Sequence, residues 1–165
     1  MASTPAHFSA PWGWQLKIST AVACFVIGVP AVFQLAQGHF IGVLLAVLLL
    51  SMLPFIVRGY TVTPTHLEIR RLGWTTRWPL DGLRGAVARP GVMARSWRVW
   101  GNDGVFAIHG RFSNGQLGRY RAFVTDPDRT VVLRWPEATI VVSPGDPDSF
   151  VRTLAHRTSL PPRAQ

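Results

Sequence analysis

The residue types that do chemistry are thinly spread in this chain. Its five histidines, His7, His39, His66, His109 and His156, have no metal-ligand spacing. The single cysteine, Cys24, excludes an intrachain disulfide and a zinc site built on paired cysteines. No G-x-S-x-G, H-E-x-x-H, Walker loop or G-x-G-x-x-G occurs. Asp146 and Asp148 are close in sequence, but they stand where a helix begins, and acidic groups there cap the chain and oppose the dipole. The expectation is a chain that is not an enzyme and carries no cofactor and no metal.

What remains is arginine. The chain holds 16 Arg against one Lys and eight acids, for a net charge of +9. Residues 69–125 contain ten of those Arg and only Asp81 and Asp103 as acids. Arg70, Arg71, Arg77 and Arg84 follow most closely on the apolar part of the chain, and are the expected contacts with an anionic lipid surface. Each such cation near the surface is worth about 1 kcal/mol. The competing reading of any one of them is a solvated strand face. Arg95, Trp97, Arg98 and Trp100 lie in a stretch, 90–103, that reads as a long loop or irregular strand, and are expected to form a partner-binding patch. Tryptophans beside arginines could also stack bases, but the absence of a nucleic-acid motif argues against that partner.

The elements that must position these groups fall into two parts. Charged residues are only 15% of the chain, against about 25% in a typical globular domain, and residues 1–60 contain just Lys17 and Arg58. Residues 18–57 contain no charge. Forty residues in one helix would run about 60 Å, twice the hydrocarbon thickness of a bilayer. The run weakens at Gln34, Gln37, Gly38 and His39, so it divides into spans 18–36 and 40–57, a two-helix transmembrane hairpin turning at Gly38. Pro30 and Pro54 are expected to kink or end helical turns. A cleaved signal peptide would need a shorter apolar core and a small-residue cleavage site. Two buried core helices would be unusual in so small a chain. Lys17, Arg58, Arg70 and Arg71 flank the spans while the reversal has no Lys or Arg, which puts both termini in the cytoplasm of a multi-pass inner-membrane protein. Residues 1–17 are then a cytoplasmic N-terminal segment.

Residues 59–157 read as short strands spaced by turns, at 60–63, 67–72, 74–78, 85–89, 105–108, 117–124, 130–135 and 139–142. A helix follows, with Asp146 at its cap, Pro147 at its first position, and Phe150, Val151 and Leu154 on one face. Leu160-Pro161-Pro162 cannot continue it, so 158–165 is a tail. The fold class is α+β: an apolar hairpin, then an antiparallel barrel of about seven strands closed by a C-terminal helix. Gly110-Arg111-Phe112, Leu117-Gly118-Arg119-Tyr120-Arg121-Ala122-Phe123-Val124-Thr125-Asp126 and Ser143-Pro144-Gly145-Asp146-Pro147-Asp148-Ser149-Phe150 resemble, in that order, the bacterial PH-like (pleckstrin-homology-like) domains of small membrane-anchored proteins. The resemblance covers about residues 60–157. It implies a Gly-x-Phe turn before the second motif and a Phe150 that plugs the barrel end. Eukaryotic PH domains take phosphoinositides on a basic loop between their first two strands. Here that connection, Pro64-Thr65-His66, has no Lys or Arg, so inositol phosphates are not expected ligands.

The function expected is an integral-membrane binding or scaffold protein. Its cytoplasmic domain engages lipid, a protein or copies of itself. The alternatives are an accessory subunit of a membrane transporter or cell-envelope complex and, third, a membrane enzyme acting on lipid.

Overall fold

The computed structural model describes residues 4–158, and at 102–104 only the backbone. The expected tail lies outside the described residues except for Thr158, which still belongs to the last helix.

The apolar part is helical. α1 (Trp14–Ala23), a single π turn (Cys24–Gly28) and α2 (Val29–Ala36) form one continuous helix. At 23 residues, Trp14–Ala36 is long and apolar enough to cross a membrane. Pro30 explains the π turn: its ring has no N–H and crowds the preceding turn, so the helix widens just before it. The chain reverses at Gln37-Gly38, with Gly38 at φ +73°. α3 (Phe40–Leu50) then packs back against α2. Gly42 permits the contact, since a Cβ there would stand 2.6 Å from the Leu35 nitrogen. Gly28 has a similar small side but only touches Leu49. The expected span 40–57 is shortened. The helix stops at Leu50, a 3-10 turn (Leu53–Phe55) containing Pro54 follows, and Val57 already begins a strand. Hydropathy could not mark that boundary, because Ile56 and Val57 are as apolar as the helix before them.

Among the described residues, ten strands build the rest, in two sheets rather than a closed barrel of seven. The first sheet has the order β1 (Ala6–Ser9), β2 (Val57–Val62), β3 (His66–Arg71), β4 (Thr75–Pro79). The second runs β5 (Gly85–Ala88), β9 (Val131–Arg134), β10 (Thr139–Val142), β8 (Gly118–Val124), β7 (Ala107–Asn114), β6 (Trp97–Val105). All pairings are antiparallel except β8 with β10. The main core gathers Tyr60, Leu67, Ile69, Leu133, Ile140 and Phe150, to which α4 (Pro147–Thr158) also contributes Leu154. Phe150 therefore sits within the core, not as a plug at the end of a barrel. A second cluster under β7 and β8 holds Phe112, Tyr120, Ala122 and Val124. β8 is thus buried on both faces toward its end, because Phe123 joins the first core while its neighbours join the second.

Two strands were not legible as such. The N-terminal segment contributes β1, which pairs with β2 from Ala6 opposite Val62 to Ser9 opposite Gly59. Phe8 lies edge-on to Phe150 at 5.0 Å. The stretch 90–103 is half turn and half β6, and Gly110-Arg111-Phe112 lies inside β7 rather than in a turn.

The third motif has a structural role. The Tyr60 hydroxyl donates to the Phe123 carbonyl at 2.6 Å and accepts the Ser143 N–H at 3.1 Å. Ser143 Oγ accepts the N–H groups of Thr125 and Asp126. Burial pushes the Tyr60 phenol up to about 12, so it stays a neutral donor. Asp146 accepts the Ser149 N–H at 3.0 Å, the expected helix cap.

Candidate functional site

The apolar helices and the β-domain are bound together at one end. Gly13 N–H donates to Thr125, and Thr20 in α1 accepts the N–H of Phe106 at 3.0 Å. Phe106 stands at φ +62° in the β6–β7 turn, an unusual backbone state for a bulky residue, held here by that bond. On the other side, the β3–β4 turn is tied to the end of the helical unit: Leu72 N–H donates to Ile56 at 2.9 Å and Gly73 N–H to Pro54 at 3.0 Å. Leu72 and Trp74 on this turn remain 49% and 43% exposed, beside an apolar unit that is itself mostly exposed.

Arg71 closes β3 at this turn. Its guanidinium carbon lies 4.7 Å from the centre of the Phe123 ring and 5.3 Å from that of Trp74. Phe55 stacks on His109 at 4.5 Å and meets Trp74 edge-on at 4.9 Å. The result is an aromatic cage with one cation and one imidazole. Neither the Arg71 Nε nor the His109 Nδ1 has a hydrogen-bond partner, although both atoms are enclosed. The two ion pairs among the described residues, Arg77–Glu68 and Arg129–Asp126, lie elsewhere. Burial lowers the Arg71 pKa. Burial first, and the Arg71 charge second, bring His109 down to about 4.

A pH dependence follows from His109. The unfolded chain takes up its proton near 6.5 and the folded chain only near 4. Between these values the unfolded state binds more protons, so stability rises with pH across the window and is lost as pH falls through it. Thermal unfolding of the detergent-solubilised chain should show a melting temperature that drops from pH 6.5 to pH 4. His109→Gln should flatten that drop. An identical profile in the variant would place the titration elsewhere.

The four arginines expected at a lipid surface are not brought together. Arg70 and Arg77 point to the outer face of the first sheet, where Arg77 donates to Glu68 at 2.9 Å. Arg71 projects to the opposite face, toward the core side. Arg84 is exposed in the link to β5 of the second sheet. Of the expected patch, Arg95 lies in the turn before β6, and on β6, an edge strand, Trp97 and Trp100 (81% and 77% exposed) pair with Ser113 and Arg111 while Arg98 pairs with Phe112, on the other face. His109, Phe55 and Phe123 were missed by sequence reasoning. The only signals were a histidine directly after the apolar pair Ala107-Ile108 and a phenylalanine next to Pro54 at the close of the apolar run. No group of three or more His, Cys, Asp or Glu side chains with metal-binding proximity occurs among the described residues.

A mixed helix–sheet domain with a C-terminal helix packed on its core through Phe150 and Leu154, preceded by an apolar helix, is the architecture of a PH-like module. Residues 58–158 match the family model described as Bacterial PH domain, and the chain belongs to that family. No curated protein and no solved structure matches the chain. PH-like domains are in general binding modules and not catalysts, and they often bind lipids or proteins.

Proposed function

We propose that the protein is an integral-membrane binding module, with both apolar helices inserted as a hairpin and the PH domain held against the cytoplasmic leaflet. The observation that carries this reading is the β1–β2 pairing. The strand before the first helix and the strand after the second are hydrogen-bonded neighbours. Both ends of the apolar unit therefore lie on one side, so a first helix that crosses the bilayer must be followed by a return. α3 is short for a span at 11 residues, about 16 Å. The apolar stretch Phe40–Phe55 adds to it, and a bilayer thins locally around a short segment at modest cost. Lys17 and Arg58 beside the hairpin, with an uncharged reversal, support the cytoplasmic side for both termini.

The domain serves lipid contact at its helix-bound end and association through the edge of β6. An edge strand bearing exposed Trp97 and Trp100, with α1 packed against part of it, suits β-augmentation by a second copy or by a protein of the same membrane complex. Arg95 and Arg98 beside it favour an acidic partner. Membranes stripped with alkaline carbonate should retain the full chain, and the mild-detergent extract should contain it as a self-assembly or with a stoichiometric partner. Release into the carbonate supernatant would contradict the anchor. A monodisperse monomer unaffected by Trp97→Ser and Trp100→Ser would contradict the role of the edge.

A further inference from the structure

We propose that Arg71 and His109 form a binding site for a single phosphate group, the headgroup phosphate of a phospholipid, at the junction of the helical unit and the PH domain.

The charge of Arg71 has no ion-pair partner among the described residues. A guanidinium withdrawn from water needs an opposite charge or a full set of acceptors. The Arg71 guanidinium lies beside the rings of Phe123 and Trp74, its enclosed Nε has no acceptor, and among the described residues no carboxylate pairs with it. Such faces hold the planar ion without neutralising it. His109 Nδ1 is a second enclosed atom without a partner, and the ring is neutral at pH 7, so one of its nitrogens carries a proton it can donate. An arginine fork and an imidazole N–H in one cage lack what a phosphate supplies: negative charge and several acceptor oxygens.

Position identifies the source. The cage is walled by Phe55, at the end of the apolar helical unit, and Trp74 stands on the turn hydrogen-bonded to Pro54. Half-exposed Leu72 and Trp74 on that turn suit the headgroup region, where amphipathic aromatics accumulate. The site is also at the opposite end of the β2–β3 hairpin from the connection Pro64-Thr65-His66, as Val57 faces Arg71 and Val62 faces Leu67. It is thus separate from the loop that serves phosphoinositides in eukaryotic PH domains. The lipid source rests on the membrane reading above, while the phosphate site does not.

The test uses the full chain in neutral detergent. Thermal unfolding is followed while phosphatidylglycerol, phosphatidylcholine or inorganic phosphate is titrated, and bound lipid is counted by native mass spectrometry. The site predicts saturable stabilisation with one phospholipid retained. Arg71→Gln should weaken this at least about tenfold, the loss of one charge-assisted bidentate contact. Arg71→Lys should restore part of it, and Arg152→Gln, exposed on α4, should leave it unchanged. Arg71→Gln without ligand should melt no lower than the parent, because it removes an unpaired half-buried charge, so lost binding is distinguishable from lost fold. Stabilisation by phospholipid, with inorganic phosphate effective only at far higher concentration, assigns the lipid. Saturation by inorganic phosphate alone overturns the lipid source. No saturable effect from any of the three, or one that Arg71→Gln keeps, overturns the site. Carbonate extraction of Arg71→Gln reports separately on the anchor, which this substitution leaves intact.

Discussion

Residues 59–165 expressed without the preceding segment should fail to give a stable, monodisperse domain, even though they contain nearly all of the matched family region. Removing β1 frees the edge of β2 along four register pairs and uncovers Phe150, which loses the edge-on ring of Phe8. Gly145 also loses its bond to the Ser9 carbonyl, at 2.9 Å, next to the cap of α4. Losing half-buried Phe8 and exposing part of Phe150 costs some fraction of the about 3–5 kcal/mol of a fully buried Phe, against a total of roughly 5–15 kcal/mol for a domain. An open strand edge adds a path to aggregation. The remedy separates β1 from the membrane anchor. A chain in which residues 14–55 are replaced by a short Gly/Ser linker keeps β1 beside β2 and should unfold cooperatively in urea. If residues 59–165 alone unfold with the same midpoint, β1 is an accessory to the fold.

Gly110→Ala should be among the most damaging single substitutions. Gly110 has φ +141° and faces Gly101, at φ +124°, across the β6–β7 ladder. A Cβ on Gly110 would overlap the Trp100 carbonyl oxygen, and one on Gly101 would overlap that of His109. Both obstacles are backbone, so neither can yield by a rotamer change, and the conformation itself is one that L side chains rarely adopt. The two costs together should exceed about 4 kcal/mol, the range reserved for a broken core or a special backbone site. Separation of β6 from β7 would also displace His109 from Phe55. Detergent-solubilised Gly110→Ala should therefore melt far below the parent, whereas Gly115→Ala, with open space around it in the β7–β8 turn, should not. Equal stability of the two variants would remove the crossing from the account.

These positions show where the sequence was readable. Asp146 and Pro147 announced α4 because capping is local chemistry, and the bond from Ser149 to Asp146 is within one turn. The break at Gln37-Gly38 was equally local. The alternation of Leu67 and Ile69 gave β3. By contrast, β1 carries only four residues and its partner lies more than fifty positions away, so Ala6–Ser9 has no meaning until β2 is beside it. β6 was obscured by its glycines, whose use is a crossing with Gly110 that no window of sequence contains. The Arg71 cage was invisible for the same reason: Phe55, Trp74, His109 and Phe123 come from four segments, and adjacency to Arg70 suggested a shared face that strand alternation denies. The basic composition was legible as a property of the domain. Which cation is half withdrawn from water required the fold.

The hairpin is tested most directly by its reversal. With Cys24→Ser as background, single cysteines at Gln37→Cys, in the turn, and Gln116→Cys, in the β7–β8 turn, are exposed to a membrane-impermeant maleimide in intact spheroplasts. A hairpin with its turn outside and its domain inside labels at the first position before lysis and at the second only after it. A turn that stays protected until lysis, or a domain cysteine that labels in intact spheroplasts, would contradict it.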